Sequence, residues 1–138
     1  MNARFFRKNS AAQGLVEFAL VAPLFFLLVF GLVEGGRLIY SYNTVNHSAQ
    51  EAARTAILED TSGVAAVRDR AVAAADPLSV SAGDVDVEIN GGGTSFADRT
   101  IGDRVRVTVS YNFVPVVGMV FGAAPSITLT GDSELMVE

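Results

Sequence analysis

A chain of 138 residues has room for one domain with an appended segment. Half of its residues are hydrophobic and its formal charge is −5, a balance that argues against nucleic acid as a partner. The absence of cysteine removes disulfides and thiolate metal sites, and a single histidine, His47, leaves little for metal or acid–base chemistry.

The apolar residues are not spread evenly. From Leu15 to Val33 the chain reads LVEFALVAPLFFLLVFGLV, with Glu17 as its only ionisable residue. A hydrocarbon core about 30 Å thick needs about 20 apolar residues of helix, so this run predicts a membrane span. Arg4, Arg7 and Lys8 precede it without an acidic residue among them, and acidic residues prevail after it. The positive-inside rule then keeps the N-terminus in the cytoplasm and exports the remainder. A cleaved secretory signal is the rival reading. Such a signal has an apolar stretch of about 7–15 residues and a small-x-small exit site. Here the run is longer and closes in Glu34-Gly35-Gly36-Arg37, which favours a retained anchor.

Three features lie within the span. Glu17 is a carboxylate at the edge of hydrocarbon, where it either meets a positive partner in an assembly or sits at headgroup depth facing water. Pro23 removes one backbone donor and frees the carbonyl of Ala19, which predicts a kink or local melting. Gly31 and Gly35 form a G-x-x-x-G, a spacing that puts both glycines on one helical face and lets a second helix approach closely.

Beyond Arg37, Leu38, Tyr42, Val45, Ala49, Ala52 and Ala56 recur at steps of four and three, with Asn43, Asn46, Gln50 and Arg54 on the other side. The helix is therefore predicted to continue to about Leu58, about 45 residues and about 67 Å at 1.5 Å per residue. Its alanine-rich stripe is suited to packing against a sheet or another helix. The stretch from Glu59 to Gly63 interrupts the pattern, and Thr61 or Ser62 can cap a second helix over 64–75 with Val64, Val67, Ala71 and Ala74 or Ala75 inward.

The period then changes to two. Val85, Val87 and Ile89 alternate with acidic residues and predict a strand near 84–90, followed by a turn at Asn90 to Gly93. Val105, Val107, Val109 and Tyr111 predict a second strand over 104–113. Ile127, Leu129, Leu135 and Val137 predict a third over 126–137, with a bulge or bend at Gly131-Asp132. Asp86 and Glu88 are expected to face Arg104 and Arg106 across the first two strands, pairs worth about 0.2–1 kcal/mol each. Three strands with one apolar face need a cover, which the amphipathic part of the long helix can supply. The fold class is α+β: a long N-terminal transmembrane helix running into an exported domain with a short second helix and a three-stranded antiparallel sheet. The domain boundaries are a basic leader over 1–12, the span over 13–36 and the exported domain over 37–138. The connection between strands two and three, including Val116, Met119 and Phe121, is strongly apolar and serves either to cap the core or to meet a partner or the membrane surface.

No phosphate loop, zinc spacing or nucleophile elbow is present, and Gly91 to Gly93 lack the strand–turn–helix context and lysine of a phosphate site. His47 falls on the polar side of the helix, a poor place for a triad. The sequence predicts a protein without catalysis, cofactor or metal.

The order of elements also resembles a known family. Basic residues are followed by Ala12-Gln13-Gly14-Leu15-Val16-Glu17-Phe18-Ala19-Leu20-Val21-Ala22-Pro23, then Gly31-Leu32-Val33-Glu34-Gly35-Gly36-Arg37-Leu38, then Ala49-Gln50-Glu51-Ala52-Ala53-Arg54. This resembles the TadE-like family, minor pilin-like proteins (pseudopilins) of the tight-adherence, type IV-related pilus, over roughly residues 10–58. The resemblance implies an inner-membrane protein whose leader is cut by a prepilin peptidase and whose partners are other pilin-like subunits and the assembly machinery. A glutamate at the fifth mature position would make Gln13 the first mature residue and Ala12 the residue before the cut. Ala12 departs from the usual glycine there, and a cut between Gly14 and Leu15 is the alternative. The resemblance gives Glu17 the role of neutralising the new amine of an adjacent subunit. The competing function is a membrane-anchored envelope domain that binds a partner without forming a filament.

Overall fold

A computed structural model describes residues 7–58, 63–93, 95–116, 118, 122 and 125–138. Its elements in chain order are helix α1 (Arg7–Ile57), helix α2 (Val64–Ala74) and strands β1 (Val85–Ile89), β2 (Arg104–Phe113) and β3 (Ile127–Met136), with two short 3-10 turns at Ala82–Asp84 and Phe96–Asp98. The fold is α+β, as the change of period predicts. The chain divides into two compact units, Met1–Gly36 and Arg37–Glu138.

In the first unit α1 is a helix with its side chains outward. Leu20, Leu24, Phe26 and Leu32 are all exposed. Phe26 makes an edge contact with Phe25 at 5.8 Å between ring centroids and a tilted one with Phe30 at 6.5 Å. The helix continues without interruption through Pro23. Local melting, one of the two outcomes expected there, does not occur. Proline removes a single donor, and the bonds of the adjacent turns hold the chain in register.

The second unit begins at Arg37. The rest of α1 buries Ser41, Val45, Ser48, Ala49, Ala52, Ala53 and Ala56. That spacing is 3.6-periodic, and the alanines make it a narrow face that lets a neighbouring backbone come close. Tyr42, assigned to this stripe from the sequence, is half exposed and Ser41 takes the inward position. The helix ends at Ile57; just past it Leu58 N donates to Thr55 O at 3.3 Å, and Arg54 in the last turn suits the negative end of the helix dipole.

Thr61 and Ser62, the expected caps of α2, lie outside the described residues, and the N-cap position itself is Gly63, which makes no side-chain cap bond. Val67, Ala71 and Ala75 turn inward. Ser48 on α1 donates its hydroxyl to Ala71 O at 2.7 Å, joining the two helices at a fully buried point. Arg70 and Glu51 join them again at the surface, 2.8 Å apart. Arg68 Nε donates to Val85 O at 3.1 Å and ties α2 to β1.

The sheet is antiparallel in the order β1-β2-β3. Val105, Val107 and Val109 of β2 are fully buried and form its centre with Val85 and Ile89 of β1. Each is worth about 1.5–3 kcal/mol over an exposed position. The expected bulge at Gly131-Asp132 is absent: β2 and β3 pair without a break from Arg104↔Met136 to Phe113↔Ile127, with Val109 opposite Gly131. The glycine serves packing instead. A Cβ there would lie 2.8 Å from Asn46 N and from the Val45 carbonyl, so β3 touches the backbone of α1 at this point.

The outward face carries the charges, but not paired as expected. Glu88 is opposite Arg106 in register, yet the Arg106 guanidinium turns to β3 and donates to Glu134 Oε2 from Nη2 at 2.7 Å and from Nε at 3.1 Å. Arg104 approaches the other oxygen of Glu134 at 3.7 Å. Glu134 is also directly opposite Arg106, so the guanidinium had two cross-strand carboxylates to choose between and the sequence pairing considered only one.

Candidate functional site

The candidate site is the first part of α1. Ala12, Gln13, Gly14 and Leu15, the alternative cleavage positions, are exposed and helical. Gln13 Nε2 donates to Glu17 Oε1 at 3.4 Å, a long bond of the i,i+4 kind that leaves the carboxylate accessible on an otherwise apolar exposed surface. Leu15, Val16, Phe18 and Leu20 surround it and are all exposed. Pro23 is exposed within the same helix. At Gly31 and Gly35 an added Cβ would find no atom of this chain within 4 Å. Their lack of a side chain is therefore not required by packing within the chain, and they leave one strip of the helix without Cβ cover.

From Ala12 onward α1 is long and apolar enough to cross a membrane, with a mean hydropathy of 2.5 in its most apolar window and none of that window buried. Acceptable placement of such a surface in water is hard to reconcile with the usual patch size on a monomer.

The residues of the connection between β2 and β3 are only partly visible. Val116 is half exposed, so it does not close the core, and Val114 beside it is exposed as well. Met119 and Phe121 lie outside the described residues. Arg37, the first residue of the folded unit, places its guanidinium 5.3 Å from the centre of the Phe113 ring at the end of β2. Nothing in the sequence marks that pairing, since seventy-odd residues separate the partners and neither belongs to a motif.

Elsewhere the domain carries further polar features. His47 lines a shallow groove with Tyr40, Asn43, Thr44, Ala74 and Asp76. The Asp103 carboxyl is held below its ordinary range by hydrogen bonds from Asn90 Nδ2 at 2.8 Å and Thr100 N at 2.7 Å. Asp84 is lowered by the Ser81 hydroxyl and amide, which close a capping box around the first 3-10 turn. Glu51 is lowered by its bond to Arg70, and Arg106 is raised by Glu134. Asp84 and Arg106 are exposed, Glu51 and Asp103 are partly buried, and each has a structural partner. Among the described residues no group of three or more His, Asp or Glu is placed to hold a metal ion.

The class defined by these observations is a small α+β domain carried on an apolar helix long enough to span a membrane. Residues 12–54 match the family described as TadE-like protein. No curated protein and no solved structure matches the chain. The match covers both the apolar part of α1 and the alanine-rich part that packs in the domain, and it contains Gln13, Glu17, Pro23, Gly31 and Gly35.

Proposed function

We propose that this protein is a minor pilin-like subunit that supports assembly of a tight-adherence type IV pilus from the inner membrane. The observation that carries the reading is Glu17: a carboxylate accessible on an exposed apolar helix, inside the segment that matches the TadE-like family. In this reading the N-terminus is cytoplasmic, a prepilin peptidase removes the basic leader before Gln13 or before Leu15, and the domain from Arg37 onward lies outside the membrane.

The mechanism is physical. Cleavage creates a positive amine next to the apolar run. Glu17 of one subunit accepts hydrogen bonds from the amine of its neighbour, and each charge offsets the cost of holding the other in hydrocarbon. A carboxylate at the centre of a span costs about 2.5–3.5 kcal/mol on insertion scales and less near the interface, so membrane entry tolerates Glu17 while assembly rewards its pairing. The open strip at Gly31 and Gly35 lets a neighbouring helix approach to backbone distance. The protein acts by packing and needs no cofactor or catalytic group.

The test is Glu17→Ala. The variant is expected to insert into the membrane normally and to fail to support pilus formation. Wild-type piliation by cells carrying only this variant would overturn the assembly role.

A further inference from the structure

One arginine of the folded domain is held differently from the rest. Arg54 and Arg70 bond to Glu51, Arg68 to the Val85 carbonyl, Arg99 to the carbonyls of Phe96 and Leu58, and Arg106 to Glu134. Arg37 lies over the Phe113 ring. The Arg104 guanidinium makes no hydrogen bond among the described residues, and Glu134 Oε1 stands 3.7 Å from it. Register explains the difference. Arg106 sits between Glu88 on β1 and Glu134 on β3. Arg104 sits between Asn90 and Met136, neither of which can balance its charge.

With Arg106, Glu134, Asn90, Gly91 and Gly102, Arg104 lines a cavity of about 450 Å³. Two turns wall it. In one, Gly92 N donates to Ile89 O at 2.9 Å around Asn90 and Gly91, whose φ angles are 49° and 71°. In the other, Asp103 N donates to Thr100 O at 3.0 Å around Gly102, whose φ is 96°. Asn90 joins the two: its side chain accepts from Arg104 N at 3.0 Å and donates to Asp103 Oδ1 at 2.8 Å. Asp103 Oδ2 accepts from Thr100 N at 2.7 Å. The walls are therefore fixed before anything enters. The two glycines leave space beside them, since a Cβ on either would meet nothing within 4 Å.

The geometry points to this cavity as a docking site for a carboxylate carried by a peptide segment of another protein, with Arg104 as the residue that grips it. A guanidinium presents paired N–H donors that match the two oxygens of a carboxylate. Two guanidiniums and one carboxylate in the lining leave one positive charge, which a single carboxylate neutralises. A phosphate dianion would bring a surplus negative charge next to Glu134, with Glu88 and Asp103 close by, and like charges oppose it. The volume falls in the range of about 300–1,000 Å³ that takes ligands of several functional groups, which suits a side chain with its flanking backbone rather than a lone ion. The site lies wholly within the folded unit and does not depend on the role of Glu17.

The test is a titration of the full isotope-labelled chain in non-ionic detergent with the tripeptide acetyl-Gly-Glu-Gly-amide at constant ionic strength, read by the amide resonances of Gly91 and Gly102. The expected result is a saturable shift of both signals that the glutamine analogue of the peptide does not produce. Arg104→Gln is expected to abolish the saturation while thermal unfolding keeps its wild-type midpoint, because an exposed pair at 3.7 Å contributes little to stability. Glu134→Gln removes the carboxylate that competes for Arg104 and is expected to tighten binding several-fold. No saturable shift, equal shifts with the glutamine peptide, wild-type binding by Arg104→Gln, or no gain in affinity from Glu134→Gln overturns the inference. Acetate bound as tightly as the peptide overturns the assignment to a protein-borne group. Inorganic phosphate bound more tightly than either overturns the choice of carboxylate.

Discussion

Gly131→Ala is the most informative single change in the folded domain. A Cβ at this position would lie 2.8 Å from Asn46 N, Val45 C and Val45 O, all backbone atoms of α1. Ordinary contact begins near 3.4 Å, so the helix and β3 must separate by about 0.6 Å, or one of them must bend. Neither moves alone, since β3 is paired along its whole length with β2 and α1 is bonded to α2 through Ser48. Overpacking of this kind costs about 1–3 kcal/mol. Taking about 2 kcal/mol and about 5 °C per kcal/mol for a domain of this size gives a fall in Tm of about 10 °C. The assay is thermal unfolding of the full chain in detergent, followed by circular dichroism. Gly83→Ala is the control, because its Cβ would meet nothing closer than Ser81 Oγ at 3.8 Å. An unchanged Tm for Gly131→Ala would refute the close approach of β3 to α1 and with it the packing explanation for this glycine.

Ser48→Ala is expected to cost about 0.5–1.5 kcal/mol, the net worth of one hydrogen bond, read as a lower denaturant midpoint; Ala71 O keeps its bond from Ala75 N, so no acceptor is orphaned. The carboxyls of Glu51, Asp84 and Asp103 are all lowered in the folded state. Their contribution to stability is thus present above the ordinary carboxylate range and is lost as pH falls through the folded values, and Asp103→Asn is expected to flatten the acid limb of a Tm-against-pH profile. Gly31→Leu should leave thermal unfolding of the domain unchanged, since a Cβ there would meet no atom of another described residue's side chain or of a neighbouring element within 4 Å, while weakening co-purification with other pilin-like subunits.

The apolar run, the second helix and the first two strands are legible in the sequence because each has an unbroken period, and the third strand because Ile127-Leu129 and Leu135-Val137 alternate at its ends. Val105, Val107 and Val109 alternate cleanly with polar neighbours, and their burial follows from that alone. What escapes sequence reasoning depends on distance across the fold. Gly131 reads as a bulge because glycine within a strand commonly marks one, and only the approach of α1 reveals the alternative. Tyr42 reads as core because it lies seven residues before the buried Ala49, yet it stands half exposed. Arg106 has carboxylates on both neighbouring strands, Glu88 and Glu134, and geometry alone selects the second. The candidate site is a different case. Glu17, Pro23, Gly31 and Gly35 are conspicuous in the sequence because each is unusual in an apolar helix, and among the described residues nothing comes within 4 Å of a Cβ added at either glycine. In the proposed reading they serve what meets the helix from outside.

The central claim, that the chain is a processed pilin-like subunit, is tested most directly by N-terminal sequencing of the protein recovered from the membranes of cells that contain a prepilin peptidase, alongside cells that lack it. The account predicts a free N-terminus at Gln13, or at Leu15 for the alternative cut, with the full-length chain persisting when the peptidase is absent. An intact leader in the presence of an active peptidase would contradict it and leave a plain membrane anchor.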